Sequence, residues 1–167
     1  RDNQQDEKTP DLTQIGEVQV DSRIAENTRQ FLAAAQAIAP EETLISGYRS
    51  RAEQEELYNE KVAGEVAKGL SNEEAVSIVL KQVQLPGASE HQTGLAIDMS
   101  VPEGQEDELA AKIAQLAPQY GFVLRYPDGK SDITGVDFEN WHYRYVGVEN
   151  AQYMQKHNLV LEEYIAL

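Results

Sequence analysis

Three histidines, twenty-nine acidic side chains and no cysteine bound the chemistry open to this chain. Without thiolates, a tightly bound transition metal can be held only by imidazole nitrogen and carboxylate oxygen. Two segments supply such groups. Ser89-Glu90-His91-Gln92-Thr93-Gly94-Leu95-Ala96-Ile97-Asp98 sets a histidine in a glycine-containing loop, with an aspartate seven residues later. Glu139-Asn140-Trp141-His142-Tyr143-Arg144-Tyr145 sets a carboxylate three residues before a histidine, at the head of an aromatic-rich run. Neither segment decides the matter singly. An isolated histidine is more often a satisfied polar residue than a ligand, and Trp141, Tyr143 and Tyr145 read equally well as core aromatics with His142 turned to solvent. The third histidine, His157 between Lys156 and Asn158, reads as a solvated helix-end residue.

These groups need elements to position them. Leu95 to Met99 reads as a strand with Leu95, Ile97 and Met99 on one face and Ala96 and Asp98 on the other. Trp141 to Val146 reads as the last strand. Strict alternation would place Glu139 and His142 on opposite faces, so the chain must bend at Asn140 or Trp141 if both are to serve one centre. Upstream, Ile24, Thr28, Phe31, Ala35 and Ile38 recur at helical spacing until Pro40. Thr43-Leu44-Ile45 is a short strand. Ser50-Arg51-Ala52-Glu53 and Ser71-Asn72-Glu73-Glu74 are capping boxes opening two helices, the second carrying Ala75, Ile78, Val79 and Val83. An amphipathic helix over 106–116 leads to a strand at Phe122-Val123-Leu124-Arg125, and helical patterning resumes from Val148 through Tyr153, Met154, Leu161 and Ile165. Helices mixed with non-adjacent short strands predict an α+β fold with a small antiparallel sheet.

The 167 residues, 41% of them hydrophobic, suit one domain with a real core. Residues 1–20 have few large apolar side chains and read as a polar tether, with the folded domain spanning 21–167. A net charge of −15 argues against nucleic acid or an anionic membrane surface as partner. The sequence holds neither a membrane span nor a signal-peptide core, and it starts at Arg1. The expectation is a processed chain, attached to a membrane only through a segment that preceded Arg1.

Taken together, the two chemical segments resemble the zinc carboxypeptidases of the VanY-like and L,D-carboxypeptidase type, related to the D-Ala-D-Ala dipeptidases. In that family a Ser-x-His-x-x-Gly-x-Ala-x-Asp stretch is followed by Glu-x-Trp-His, and this chain matches the first from Ser89 to Asp98 and the second from Glu139 to His142. The likeness runs from about Thr43 to Gly147 and takes in Ser46-Gly47-Tyr48-Arg49-Ser50, Gln54, Leu85-Pro86-Gly87 and Arg125-Tyr126-Pro127. It implies a small antiparallel sheet carrying a zinc site, flanked by helices.

The resemblance implies Zn2+ held by His91, Asp98 and His142, which fill three positions of a catalytic zinc and leave a fourth for water. Glu139 is implied as the base that takes a proton from that water and passes it to the leaving amine. Arg49 suits the carbonyl oxyanion or the substrate's terminal carboxylate; apart from the family match, it reads as a surface arginine paired with Glu53 or another acid. Gln54, Ser89 and Tyr126 match positions that contact the peptide. Glu90 and Asp137 are candidate acceptors for imidazole N–H groups. Arg125 and Arg144 carry no assigned role.

The implied function is release of the C-terminal D-alanine from peptidoglycan stem peptides by an extracellular monomer, at the membrane face or in the wall of a Gram-positive bacterium. Arg49, Gln54, Ser89 and Tyr126 together lean toward L,D-cleavage of tetrapeptides. The alternatives are D,D-cleavage of pentapeptides, hydrolysis of a free dipeptide, and a non-catalytic wall-binding module with structural zinc. Glu139 speaks against the last, since a binding module has no need of a carboxylate there.

Overall fold

The computed structural model describes residues 9–167; residues 1–8 of the expected tether lie outside the described residues. Two antiparallel sheets form. The first is a hairpin of β1 (Leu12–Ile15) and β2 (Val18–Asp21). The second has four strands, β3 (Thr43–Ser46), β4 (Ala96–Ser100), β5 (Phe122–Leu124) and β6 (His142–Tyr145), in the order β3-β4-β6-β5. Around them lie α1 (Ala25–Ile38), α2 (Arg51–Ala67), α3 (Asn72–Val79), α4 (Asp107–Leu116), α5 (Ser131–Thr134), α6 (Val148–Lys156) and α7 (Leu161–Ile165). The fold is α+β, as the order of elements predicts. Among the described residues no helix is long and apolar enough to cross a membrane.

Strand alternation gives the larger sheet two unlike faces. Ile97 and Met99 of β4 and Tyr143 of β6 are fully buried on the core face. There Phe31 of α1 meets the Tyr143 ring edge-on at 4.9 Å and stacks on Phe122 at 5.2 Å, while Ile113 of α4 closes the layer. The α1 residues facing this core, Ala25, Thr28, Phe31 and Ala35, keep the helical spacing seen in the sequence. The opposite face carries Asp98, His142 and Arg144, paired across β4 and β6 as Asp98 with His142 and Ala96 with Arg144.

Both capping boxes are present, Ser50 with Glu53 and Ser71 with Glu74. Helix α3 ends at Val79, so Val83 lies beyond it, in an irregular segment beside the functional cleft. The C-terminal helical pattern is split: Asn158 takes a left-handed conformation (φ 52°) and separates α6 from α7. His157 is the exposed C-cap of α6, its ring 4.3 Å from that of Tyr153.

The polar tether expected through residue 20 is corrected over its second half. Residues 12–21 fold as a hairpin whose Ile15 and Val20 join the main core. Alternation carries the apolar residues to one face, and Gly16 (φ 62°) opens a two-residue turn between Ile15 and Val18. Each such burial contributes about 1.5–3 kcal/mol, and together with the strand pairing the buried Ile15, Val18 and Val20 offset the cost of ordering a segment of low average hydrophobicity.

One core feature carries a pH dependence. Glu42, between α1 and β3, is fully buried and neither carboxylate oxygen has a hydrogen-bond partner among the described residues. Burial pushes its pKa up to about 7. The unfolded chain releases this proton near its ordinary value and the folded chain only near 7, so stability is lost as pH rises between the two. We expect Glu42→Gln to raise the thermal midpoint relative to wild type by more at pH 8 than at pH 5; an equal change at both values would contradict this account.

Candidate active site

The register of β4 against β6 places Asp98 directly across from His142. His91 comes from the turn just before β4. Ser89 caps this turn, its Oγ accepting from the His91 backbone N–H at 3.3 Å, and Gly94 closes it at φ 74°. A Cβ on Gly94 would lie 2.9 Å from the backbone nitrogen of Asp21, and that N–H donates to Gly94 O at 2.9 Å. Gly47 is equally tight: a Cβ there would lie 2.4 Å from Gln19 O, which accepts from Tyr48 N–H at 2.6 Å. Both glycines let the hairpin strand β2 brace the turns around His91.

His91 Nε2 lies 3.5 Å from Asp98 Oδ1, and His142 Nδ1 lies 3.0 Å from the same oxygen. All three donor atoms fall within 4.8 Å of one another. Donors about 2.1 Å from a tetrahedral zinc stand roughly 3.4 Å apart, so the arrangement fits that ion. The remaining atom of each ligand is occupied. His91 Nδ1 donates to Gly47 O at 2.8 Å, His142 Nε2 to Glu90 Oε1 at 2.9 Å, and Ser46 Oγ donates to Asp98 Oδ2 at 2.7 Å. These partners select the tautomers that leave His91 Nε2 and His142 Nδ1 with lone pairs toward the centre.

Glu139 stands where a bent backbone brings it. The chain bends at Asn140 and Trp141, and the strand begins only at His142. Asn140 fixes the bend by donating from Nδ2 to Gln105 O (3.1 Å) and Asp107 Oδ1 (2.9 Å), while its own carbonyl accepts from Gln105 Nε2 at 2.8 Å. The Glu139 N–H donates to Tyr126 O at 2.9 Å. Its carboxylate Oε2 ends 4.0 Å from His142 Nδ1. Burial, against the pull of His142, raises its pKa to about 7.

Arg49, Gln54, Ser89 and Tyr126 line the same 610 Å³ cleft as the three donors and Glu139. Arg49 does not pair with Glu53, whose carboxylate is engaged by the Ser50 N–H. Its guanidinium donates instead to neutral oxygens, Gln54 Oε1 at 2.7 Å and Ser46 Oγ at 3.5 Å. Gln54 is fully buried and also donates to Gln84 O at 2.7 Å, tying α2 to the segment after α3. The Tyr126 ring stacks on His142 with centroids 5.1 Å apart.

Of the two acids flanking the histidines in sequence, Glu90 accepts from an imidazole, whereas Asp137 only lines the cleft. Burial works against the charge on Glu90, but His142, Arg125 and Arg144 outweigh it and hold the carboxyl down at about 2. Sequence reasoning missed the backbone oxygen of Gly47 and the hydroxyl of Ser46, which only the folded chain brings to the ligands. It also missed Phe138 and Trp141 as partly exposed walls of the cleft.

The family model of VanY, D-alanyl-D-alanine carboxypeptidase, matches residues 17–148. A D-alanyl-D-alanine carboxypeptidase of Enterococcus faecalis (strain ATCC 700802 / V583) is 38% identical over 148 residues, covering 87% of this chain and 55% of that protein. The chain thus spans little more than half of that relative's length. A crystal structure of the vancomycin resistance D,D-pentapeptidase VanY, an E175A mutant in complex with Zn(II), superposes with a TM-score of 0.87 at 37% identity, over 93% of this chain and 89% of that one. The LD-carboxypeptidase LdcB superposes with a TM-score of 0.74 at 32% identity, over 95% of this chain and 76% of that one. With both chemical segments and the bracing strand β2 inside the matched span, the chain belongs to the VanY D-alanyl-D-alanine carboxypeptidase family.

Proposed function

We propose that this domain is a zinc-dependent carboxypeptidase that removes the C-terminal D-alanine from peptidoglycan stem peptides, cutting the D-Ala-D-Ala bond. The observation that carries the proposal is the Glu139 carboxylate, 4.0 Å from the inward nitrogen of His142. That separation is too long for a direct hydrogen bond and sets the carboxylate beside the point on which the three donors converge, within reach of a water held there.

His91, Asp98 and His142 would hold the zinc, supported by the fit of their spacing and by the Zn(II) complex of the VanY neighbour. Bound there, zinc polarises a carbonyl and acidifies water. Glu139 takes the proton of the attacking water as its oxygen bonds to the scissile carbonyl carbon. It then delivers that proton to the amine as the C–N bond breaks. Arg49 makes no ion pair among the described residues, and Ser46 Oγ links it to Asp98 by hydrogen bonds. From there it offsets negative charge growing on the carbonyl oxygen. Gln54 holds Arg49 in place, while Ser89 and Tyr126 contact the peptide from the cleft walls.

L,D-cleavage of a tetrapeptide is the second reading, favoured by the likeness to LdcB and by the meeting of Arg49, Gln54, Ser89 and Tyr126 in one cleft. Identity and superposition are both higher for the VanY neighbour, which is why D,D-cleavage stands first. We further propose that the domain works outside the cytoplasmic membrane, against the wall, as a monomer.

The deciding measurement is free D-alanine released from pentapeptide and tetrapeptide stems: we expect release chiefly from the pentapeptide. Release from the tetrapeptide alone selects the second reading, and release from neither rejects the enzyme. We expect Glu139→Gln to keep stoichiometric zinc while kcat falls at least about a hundredfold; full turnover would remove Glu139 from the role of base. His142→Ala should lose stoichiometric zinc by elemental analysis, and unchanged metal content would show that the ligands are misassigned.

A further inference from the structure

The C-terminal helix α7 lies past residue 148, beyond the span that the family model matches, yet one of its charges is linked to the metal-site histidine through two intervening side chains. Leu161 and Tyr164 pack it into a small apolar cluster around Val123, Ala151 and Met154. This docking presents Glu162 to Arg125 in a two-pronged pair, with Nη1 to Oε1 at 2.7 Å and Nη2 to Oε2 at 2.9 Å. The third nitrogen of Arg125, Nε, donates to Glu90 Oε2 at 3.1 Å, and Arg144 Nη1 donates to the same oxygen at 2.9 Å. The other oxygen of Glu90 accepts from His142 Nε2 at 2.9 Å. Arg125 also lies over the Tyr126 ring, 4.9 Å from its centroid, and that ring stacks on His142. Two routes therefore run from Arg125 to the imidazole, one through a carboxylate and one through a ring.

We propose that Glu162 is a positioning residue for the His142 imidazole, acting through Arg125 and Glu90. The inference rests on the reading of His91, Asp98 and His142 as zinc ligands. Its physical basis is charge balance at low exposure. Side chains of Arg125, Glu90 and His142 are each 11% exposed or less, so these charges are poorly screened by solvent. Two guanidiniums face two carboxylates, Glu90 and Glu162, and the group is neutral. Without Glu162, the single carboxylate that orients His142 is shared by two cations with no counterweight. Glu90 then accepts less strongly from His142 Nε2–H, and the opposite nitrogen becomes a poorer donor to a dication. Arg125, released from its fork, also loses the geometry that holds it over Tyr126. Glu162 is absent from the cleft walls, so substrate contact is not part of this role.

The test is zinc affinity of the metal-stripped full chain, measured by competition with a chromophoric chelator, for wild type, Glu162→Gln and Glu162→Asp. Circular dichroism and the metal-free thermal midpoint establish that each variant is folded; Glu162 is one-third exposed, and its substitution leaves the core intact. Loss of a direct partner of a metal-bound histidine weakens binding about 10- to 100-fold, and two bonds further out the effect is at most the lower end of that range. We expect Glu162→Gln to bind zinc about tenfold more weakly. Glu162→Asp keeps the charge and should stay within about threefold of wild type. At saturating zinc, kcat of Glu162→Gln for D-alanine release should fall while KM holds. Wild-type affinity in Glu162→Gln overturns the proposal, as does equal weakening in both variants, which would assign the effect to shape rather than charge. Absence of zinc binding by wild type overturns the ligand assignment along with it and so separates the two failures.

Discussion

The pairing of β4 with β6 is the constraint on which the site depends. It sets Asp98 across from His142 and, on the same two strands, turns Ile97, Met99 and Tyr143 into the core. Side chains alternate with a period of two, so a slip of one residue would exchange these sets, burying a carboxylate and an imidazole and exposing the apolar layer. The apolar face thereby specifies where the chemical face lies. The packing of Phe31 against Tyr143 and Phe122 bears on the metal site because it holds the register that builds it.

Around that pairing, the chain resolves its excess of acid by placing cations selectively. Arg125 and Arg144 are spent on Glu90, which burial would otherwise drive toward its neutral form. Arg49 is treated differently, bounded by an amide and a hydroxyl in the cleft. In a chain with net charge −15, an arginine bonded to neutral oxygens in a cleft is a departure from the simplest electrostatic arrangement. Glu42 departs in the opposite sense, a buried carboxyl group with no hydrogen-bond partner among the described residues. The first suits recognition of developing negative charge; the second weakens the fold as pH rises.

His91, Asp98, His142 and Glu139 were singled out by the family resemblance rather than by spacing alone, and the fold brings all four to one cleft; the faces of Leu95 to Met99 were legible from alternation. The bend before His142 was also readable, as the only way to bring a residue three positions earlier onto the same centre. What could not be read were features decided by tertiary neighbours. The hairpin at 12–21 intersperses Leu12, Ile15, Val18 and Val20 with Asp11, Gln14, Glu17 and Gln19, so its composition resembles a linker while its periodicity is that of a strand pair. Composition alone therefore reads as a linker, whereas the alternation is what pairs the strands. The Glu162 pair with Arg125 joins residues 37 apart, and nothing local to Leu161-Glu162-Glu163 distinguishes it from a solvated acidic turn. Gly47 contributes a carbonyl, a group that every residue has.

The hairpin also bears on how the site is maintained. Strand β2 holds Gly47 through the Tyr48 N–H and Gly94 through the Asp21 N–H, and these glycines flank His91 from either side. β6 holds His142, and Ser46 of β3 holds Asp98. Each ligand is thus oriented by a different element, and each element is secured by the common apolar core rather than by the ion. This is unlike small domains that fold only around their metal, in which binding energy is folding energy. A zinc ion bound by His91, Asp98 and His142 would therefore meet side chains whose orientation the surrounding protein already sets, the preorganisation that a metal site acting on substrate requires.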